Sequence, residues 1–181
     1  MQSEVMFAGF GGQGILLSAK ILAHAALEQG LEVAWVPSYG PEMRGGTAYC
    51  LVVMGDRPIA SPVIKNPLHL VAMNRPSLEK FAPMVKPGGV ILGNSSLIPH
   101  GSGRDDVREL LVPVNEIAIK LGSLRSANIV ALSTFVSLSE IISYDVLRHC
   151  IQEEFSPKSK LVSLNLTAAE EGRKLACPSW R

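Results

Sequence analysis

The chain has few cysteines, and they form no recognisable cluster. Cys50, Cys150 and Cys177 lie far apart among 181 residues, and none belongs to a C-x-x-C pair. This spacing excludes the cysteine run that holds an iron–sulfur cluster. An odd number of cysteines with no secretory leader before them favours a reduced protein over a disulfide-bonded one. We therefore expect a cytoplasmic protein that holds no cluster of its own.

The sequence also lacks an excess of charge of either sign and a long apolar run. Seventeen Lys and Arg against 16 Asp and Glu give a formal net charge of +1, so no field attracts nucleic acid or an anionic membrane. The longest apolar stretch, ANIVALSTFVSL, is well short of the ~20 residues that span a bilayer. We expect neither nucleic acid nor a membrane as a partner.

Aromatic residues are scarce, at 6% of the chain, whereas 47% of the residues are hydrophobic. This composition excludes a disordered chain and favours a sheet covered by aliphatic helices. A length of 181 residues suits one domain. We predict an α/β fold, a Rossmann-like three-layer domain over residues 1–181, in which helices flank a mostly parallel sheet with some antiparallel edge strands.

Short apolar runs alternate with amphipathic stretches along the chain, which predicts strands alternating with helices. Residues 5–8 form a buried strand that stops at glycines, and an amphipathic helix runs from Ile15 until Gly30 ends it. With the strand LEVAWVP, these elements predict a right-handed βαβ unit. Further strands are predicted in TAYCLVVMG, LHLVAM and KPGGVILGNSS, with an edge strand in GDRPIASP. Further helices are predicted in RPSLEKFAPMV, VNEIAIKLG, ANIVALSTFVSLSEII, YDVLRHCIQEEF and SKLVSLNLTAAEEGRKLA.

A glycine loop joins the first strand to the first helix. Gly9, Gly11 and Gly14 match G-x-G-x-x-G, which places backbone N–H groups and a helix N-terminus where an anion can bind. A dinucleotide site also needs an acidic residue about 20 positions later, but residues 36–38 read Val-Pro-Ser, and the loop lacks the lysine of a P-loop. Gln13 lies among these glycines, and its amide can form hydrogen bonds with a ligand, with a neighbouring chain or with water. Close packing of the helix on the sheet remains a further explanation of the glycines.

A second loop, SYGPEMRGG, follows the second predicted strand. It offers an aromatic ring, a carboxylate and a guanidinium within a few residues, and such a loop is costly to order unless something packs on it. Both loops follow strands of one sheet, so we expect them at the same carboxyl edge, as one site. A solvated surface loop is the alternative. The candidate interface or anion-binding residues of this loop are Ser38, Tyr39, Gly40, Pro41, Glu42, Arg44, Gly45 and Gly46.

Five segments together carry a resemblance to a known family. They are GFGGQGILLSAKILAHAAL, SYGPEMRGGTAYC, KPGGVILGNSSLI, SANIVALSTF with its Asn128, and NLTAAEEGRKLA. In this order they resemble the gamma subunit of the 2-oxoacid:ferredoxin (acceptor) oxidoreductases, the pyruvate/ketoisovalerate/2-oxoglutarate gamma domain family. The resemblance covers nearly the whole chain, and the glycine-Gln loop with the second loop is far more specific than G-x-G-x-x-G alone.

The resemblance implies a multisubunit enzyme that decarboxylates a 2-oxoacid and transfers the acyl group to coenzyme A. Thiamine diphosphate, Mg and 4Fe-4S clusters are then expected on partner subunits, alpha and beta with an optional delta, and ferredoxin accepts the electrons through the complex. This chain itself holds no cofactor, and its short form favours 2-oxoglutarate as the substrate. An isolated subunit can also form a homodimer, because a surface meant for partners is apolar.

Binding is the role left to this chain by that resemblance. We expect Arg44 and the helix start after Gly14 to hold a carboxylate or a coenzyme A phosphate. The candidate cofactor-binding residues are Gly9, Gly11, Gly12, Gln13 and Gly14. The four histidines are dispersed, and we expect neither a catalytic residue nor a metal site. A free-standing NAD(P)- or flavin-binding Rossmann protein and a purely structural interaction domain remain as alternatives.

Overall fold

The computed structural model describes residues 2–39, 47–157 and 159–176. Within these ranges six strands form one sheet in the order β2-β3-β1-β4-β5-β6. β1, β4, β5 and β6 are parallel to one another, and β3 is antiparallel to both of its neighbours. The strands are β1 (Gln2–Phe10), β2 (Glu32–Tyr39), β3 (Thr47–Gly55), β4 (His69–Ala72), β5 (Val90–Asn94) and β6 (Arg108–Val112). The predicted α/β fold with a mostly parallel sheet is confirmed, and the reversed strand lies one place in from the edge.

Helices cover both faces of this sheet unequally. The larger core lies between the sheet and α1, α3, α4, α5 and α6. The smaller core lies under α2 and the loops around Ile64 and Ile98. The helices are α1 (Ile15–Glu28), α2 (Arg75–Phe81), α3 (Val114–Lys120), α4 (Ala127–Ser139), α5 (Tyr144–Phe155) and α6 (Ser159–Leu175). None of these described helices has the length and apolar character needed to cross a membrane.

β1 is buried on both faces, as its short apolar run predicts. Val5 and Phe7 face the larger core, whereas Met6 and Ala8 face the smaller one. Alternate side chains of a strand point to opposite faces, so a strand covered on both sides reads as a continuous apolar run.

α4 lies between the sheet and α6, with 11 of its 13 residues buried. Two of its hydroxyl groups hydrogen-bond to the neighbouring helix: Ser133 Oγ donates to the Ala169 carbonyl, and Thr134 Oγ1 donates to the Gly172 carbonyl at 2.9 Å. The helix predicted in this uniformly apolar segment is therefore covered by protein on most of its sides.

Three details of the predicted topology differ from the structure. The edge strand expected in GDRPIASP is wrong: among the described residues none between β3 and β4 is in a strand, and Pro58 and Pro62 cannot donate to a ladder. β6 was not predicted, because an edge strand that begins with the exposed Arg108 has no continuous apolar run. β1 and β2 do not pair directly, since β3 lies between them.

His69 is a buried polar residue at the start of β4. The residue is 5% exposed, and its Nδ1 atom accepts a hydrogen bond from the Val90 N–H at 3.1 Å. The pKa of His69 is lowered to about 4, mainly because the ring is buried and to a smaller extent because Arg108 carries a positive charge nearby. The negative charge of Glu4 opposes this shift in part. The ring is therefore neutral in the folded protein at neutral pH.

This histidine makes the protein less stable in mild acid. Between pH 6.5 and pH 4 the unfolded chain binds a proton on His69 that the folded chain does not, so the free energy of unfolding falls as the pH falls. Above pH 6.5 the ring is neutral in both states and the effect vanishes. We expect this group alone to remove about 2 kcal/mol between pH 7.5 and pH 5. Urea unfolding of the wild type and His69→Asn, which keeps an acceptor for Val90, measures the difference. The exposed His100→Asn is the matched control, and an equal pH dependence in all three proteins would contradict the assignment.

Candidate functional site

The glycine loop lies at the carboxyl edge of the sheet, between β1 and α1. Gly12 and Gly14 have φ angles of 96° and 75°, a left-handed backbone that favours glycine. Gly14 is the N-cap of α1, and no side chain caps the helix. The first turn of a helix leaves backbone N–H groups without helical partners, so the start of α1 offers donors and a positive dipole end to an anion.

Gln13 ties this loop to the neighbouring strand. Its Oε1 atom accepts the Phe10 N–H at 2.7 Å and the Asn74 amide at 2.9 Å. Its Nε2 atom donates to the Met73 carbonyl at 3.2 Å. Gly9 fits beneath this side chain, since a Cβ there would lie 2.7 Å from Gln13 Oε1. Gln13 therefore holds the loop in place, and a contact between Gln13 and a ligand stays a prediction.

The amide network continues along the edge from strand to strand. Asn74 follows β4 and caps α2 by accepting the Ser77 N–H at 3.0 Å. Asn94 ends β5, and its Nδ2 atom donates both to the Met73 carbonyl at 3.2 Å and to Asn115 Oδ1 at 3.1 Å. Neutral side chains thus cross-link the ends of β1, β4 and β5 to the start of α3.

Asn128, at the start of α4, packs beneath the glycine loop. Its Nδ2 atom donates to the Gly14 carbonyl at 3.3 Å, and its backbone carbonyl accepts from Ser18 Oγ at 3.2 Å. Asn128 Oδ1 is buried and has no hydrogen-bond partner among the described residues. α4 therefore fixes the position at which α1 begins.

A cavity of about 340 Å³ opens beside the loop. It is lined by Gly12, Gln13, Met73, Asn115, Leu124, Arg125 and Ala127. Among the described residues of that lining, Arg125 is the one ionisable side chain, so they give the cavity a positive charge and no acid, base or nucleophile. This arrangement suits the binding of an anion rather than covalent or acid–base chemistry.

The second predicted loop begins and ends at the same edge. Phe10, the last residue of β1, pairs with Thr47, and Tyr39, the last residue of β2, pairs with Ala48. The two ends of the loop therefore lie one and two strands from the glycine loop. Ser38 is half-buried. The other predicted residues of this loop, Gly40, Pro41, Glu42, Arg44, Gly45 and Gly46, lie outside the described residues.

The strand order weakens the dinucleotide alternative. A dinucleotide fold binds the ribose with a residue at the end of the strand beside β1. On the side of β1 that leads to β2, the neighbouring strand is β3, which runs in the opposite direction and begins at the edge where the glycine loop lies. The end of β2 lies one strand further away and carries no acidic residue.

Asn74, Asn94, Asn115 and Arg125 belong to the site but were not singled out from the sequence. A recognisable signal existed for two of them, because Asn74 and Asn94 each stand at the end of a buried apolar run, in LVAMN and VILGN. A polar residue at that point marks the carboxyl edge of a parallel sheet, where binding sites form. Asn115 and Arg125 carry no such signal.

Comparison with known proteins gives a consistent result. The family model described as pyruvate ferredoxin/flavodoxin oxidoreductase matches residues 4–175. The chain is 41% identical to the ketoisovalerate oxidoreductase subunit VorA of Methanothermobacter thermautotrophicus, over 96% of this chain and 36% of that protein. It therefore spans about a third of the length of that relative. It is also 34% identical to the 2-oxoglutarate synthase subunit KorC of Methanocaldococcus jannaschii, over 97% of this chain and 95% of that one.

Two solved structures share the fold. The gamma subunit of the keto/oxoacid ferredoxin oxidoreductase from Geobacter sulfurreducens superposes with a TM-score of 0.87 at 28% identity, over 97% of each chain. A 2-oxoglutarate:ferredoxin oxidoreductase from Magnetococcus marinus, solved with 2-oxoglutarate, coenzyme A and succinyl-CoA bound, superposes with a TM-score of 0.85 at 26% identity. That superposition covers 97% of this chain and 31% of the other.

The two left-handed glycines of the loop allow a matched test of its packing. An alanine Cβ at Gly14 would lie 2.5 Å from Asn128 Nδ2, whereas one at Gly12 would meet nothing within 4 Å. We expect Gly12→Ala to lower the free energy of unfolding by about 1–2 kcal/mol through backbone strain alone. Gly14→Ala should cost roughly 1–3 kcal/mol more, because Asn128 must move. Denaturant unfolding measures both, and Gly14→Ala combined with Asn128→Ala should cost less than the sum of the single changes. Equal losses at the two glycines, or strict additivity, would contradict this packing.

Proposed function

Because the chain belongs to the pyruvate ferredoxin/flavodoxin oxidoreductase family, we propose that it is the gamma subunit of a multisubunit 2-oxoacid:ferredoxin oxidoreductase. In this proposal residues 1–181 form one gamma-type domain, and the chain works only within the complex. Full-length correspondence with KorC and with the Geobacter gamma subunit supports a separate subunit. The match to about a third of VorA supports the same unit joined to further sequence.

The contribution of this chain is binding and assembly. The supporting observation is the cavity beside the glycine loop: among the described residues that line it, Arg125 supplies a guanidinium and none offers a group suited to acid–base or nucleophilic work. Oxidative decarboxylation needs an electron sink and redox centres, which we assign to thiamine diphosphate with Mg and to 4Fe-4S clusters on the alpha, beta and any delta subunits. Ferredoxin then accepts the electrons from the complex. We assign the whole assembly to the cytoplasm.

The ligand that we assign to the cavity is the anionic part of coenzyme A or of the 2-oxoacid. Arg125, together with the start of α1, can neutralise a phosphate or carboxylate there. The Magnetococcus structure was solved with coenzyme A and 2-oxoglutarate bound, so a relative of this chain works in an enzyme that holds both classes of anion. The second loop, with Arg44, is proposed to complete the same surface against a catalytic subunit.

The substrate class is the 2-oxoacids. The relatives include subunits of enzymes named for ketoisovalerate, 2-oxoglutarate, pyruvate and indolepyruvate. We favour 2-oxoglutarate, because four of the relatives that correspond over most of their length are 2-oxoglutarate synthase subunits.

Isolation of the native complex tests the proposed function. Affinity-tagged chain, recovered without oxygen from the source organism, should bring down larger chains that contain thiamine diphosphate and iron. The eluate should reduce ferredoxin with a 2-oxoacid only when coenzyme A is present. Assays with 2-oxoglutarate, pyruvate, ketoisovalerate and indolepyruvate then identify the substrate. A nucleotide bound to the chain alone, with no larger partners, would instead support the free-standing dinucleotide-binding alternative.

Arg125 provides a test of the anion site inside the assembled enzyme. We expect Arg125→Ala to raise the KM for coenzyme A or for the 2-oxoacid about tenfold or more, since a charge-assisted hydrogen bond is worth roughly 1.5–3 kcal/mol. The exposed Arg148→Ala on α5 is the matched control and should leave both KM values unchanged. Arg44→Ala in parallel tests the second loop. Unchanged KM values and unchanged subunit composition in both Arg125→Ala and Arg44→Ala would remove the anion-binding role and leave a structural one.

A further inference from the structure

A second cluster of polar side chains lies between α1 and α5, away from the sheet edge. α1 presents His24 and Glu28 on one line, and α5 presents His149, Cys150 and Glu153. We propose that His24, Cys150 and Glu153 form a binding site for a divalent transition-metal ion of the zinc class. The site is separate from the anion site and does not depend on the proposed function.

The ligand atoms converge as the ligands of one ion do. Each of the three residues offers one ligand atom, and these atoms of His24, Cys150 and Glu153 all lie within 4.8 Å of one another. His24 Nε2 is 3.9 Å from Glu153 Oε2 and 3.6 Å from Glu28 Oε1, distances longer than a good hydrogen bond. Two ligands of a tetrahedral zinc ion lie roughly 3.5 Å apart, given metal–ligand bonds of about 2.0–2.3 Å. Small rotations of the half-exposed His24 and Glu153 side chains therefore bring the three atoms onto one ion.

Helix geometry explains why residues far apart in the sequence meet here. Cys150 and Glu153 are three residues apart on α5, so they lie on the same face of that helix. His24 stands opposite them on α1, and the adjacent pair formed by Lys20 Nζ and Glu154 Oε2 at 2.9 Å shows that the two helices are in contact. Facing helices build metal sites in this way, with two or more ligands from one helix and the rest from its neighbour.

The types of ligand atom select the kind of metal. An imidazole nitrogen, a thiol sulfur and a carboxylate oxygen suit zinc or cobalt and not magnesium or calcium, which prefer oxygen alone. Three protein ligands leave a fourth position of a tetrahedral ion for water. Lys20 is paired with Glu154. His149 Nε2 lies 3.5 Å from Glu153 Oε1, so Glu153 Oε2 is the oxygen that faces His24 and is assigned to the ion.

The buried thiol has no other assigned use. Cys150 is 0% exposed, and burial, with smaller effects of Glu28 and Glu153, raises the pKa of this thiol to about 11. The thiol therefore keeps its proton when no metal is bound. On binding, the sulfur–metal bond replaces the S–H bond, the proton passes to solvent, and the charge of the ion offsets the nearby carboxylates.

Cobalt binding to the full-length chain tests the site. A Cys177→Ser background removes the thiol that lies outside the described residues, and reductant is kept present throughout. Addition of Co²⁺ should produce a near-ultraviolet sulfur-to-cobalt charge-transfer band and the visible bands of tetrahedral cobalt, with one ion per chain, and Zn²⁺ should abolish them. Cys150→Ser and His24→Ala should each lose the charge-transfer band, and Glu153→Gln should weaken binding at least tenfold. The matched controls Cys50→Ala and His100→Ala should bind as the parent does.

Thermal unfolding gives a second measurement, which does not require the Cys150→Ser variant to fold well. Zn²⁺ should raise the Tm of the parent and of His100→Ala, because the ion bridges α1 and α5 in the folded state alone. It should not raise the Tm of His24→Ala, a change at a half-exposed surface position. No charge-transfer band in the parent protein, or a band and a zinc-dependent Tm that persist in His24→Ala, would overturn the proposal.

Discussion

The hydrogen bonds of Gln13 are the interaction on which the edge of the sheet depends. One amide accepts from the backbone of β1 and from Asn74, and donates to the carbonyl of Met73. The glycine loop is thereby joined to the end of β4 without any charged group. Glycines alone would leave this turn with many backbone conformations, at a large cost in entropy on folding. A neutral network fixes the loop, and within the described part of the chain no ion pair is formed by Arg125.

α4 supports the same loop from below. It is buried almost throughout, and its first turn carries the amide of Asn128 to the carbonyl of Gly14. Helix α6 in turn covers α4, and it approaches closely at Gly172, where a Cβ would clash with the Val130 carbonyl and where Thr134 donates a hydrogen bond across the contact. Since interiors are close-packed and transmit displacement, the position of the candidate site is set by the stacking of the helices as well as by the sheet.

The sequence predicts those features that depend on local pattern. The buried run of β1, the glycines before Ile15 and the uniformly apolar α4 each follow from burial or backbone geometry at adjacent positions. β6 could not be predicted, because only Val112 of its five residues is buried and the strand therefore has no long apolar run. The placement of β3 between β1 and β2 depends on long-range pairing that no local signal records. The amide network at the sheet edge and the approach of His24 to Cys150 likewise arise only when distant elements pack together.

The reversed direction of β3 affects how the sheet can vary at the edge where the glycine loop lies. Because Tyr39 pairs with Ala48, the segment between β2 and β3 connects two neighbouring antiparallel strands, whose spacing of about 4.8 Å holds its ends close together. Residues inserted or removed there add only the entropy of closing a longer or shorter connection. The helices and the parallel strands need not shift. This side of the sheet can therefore vary in length and composition through one connecting segment, while the hydrogen bonds around Gly14 stay the same.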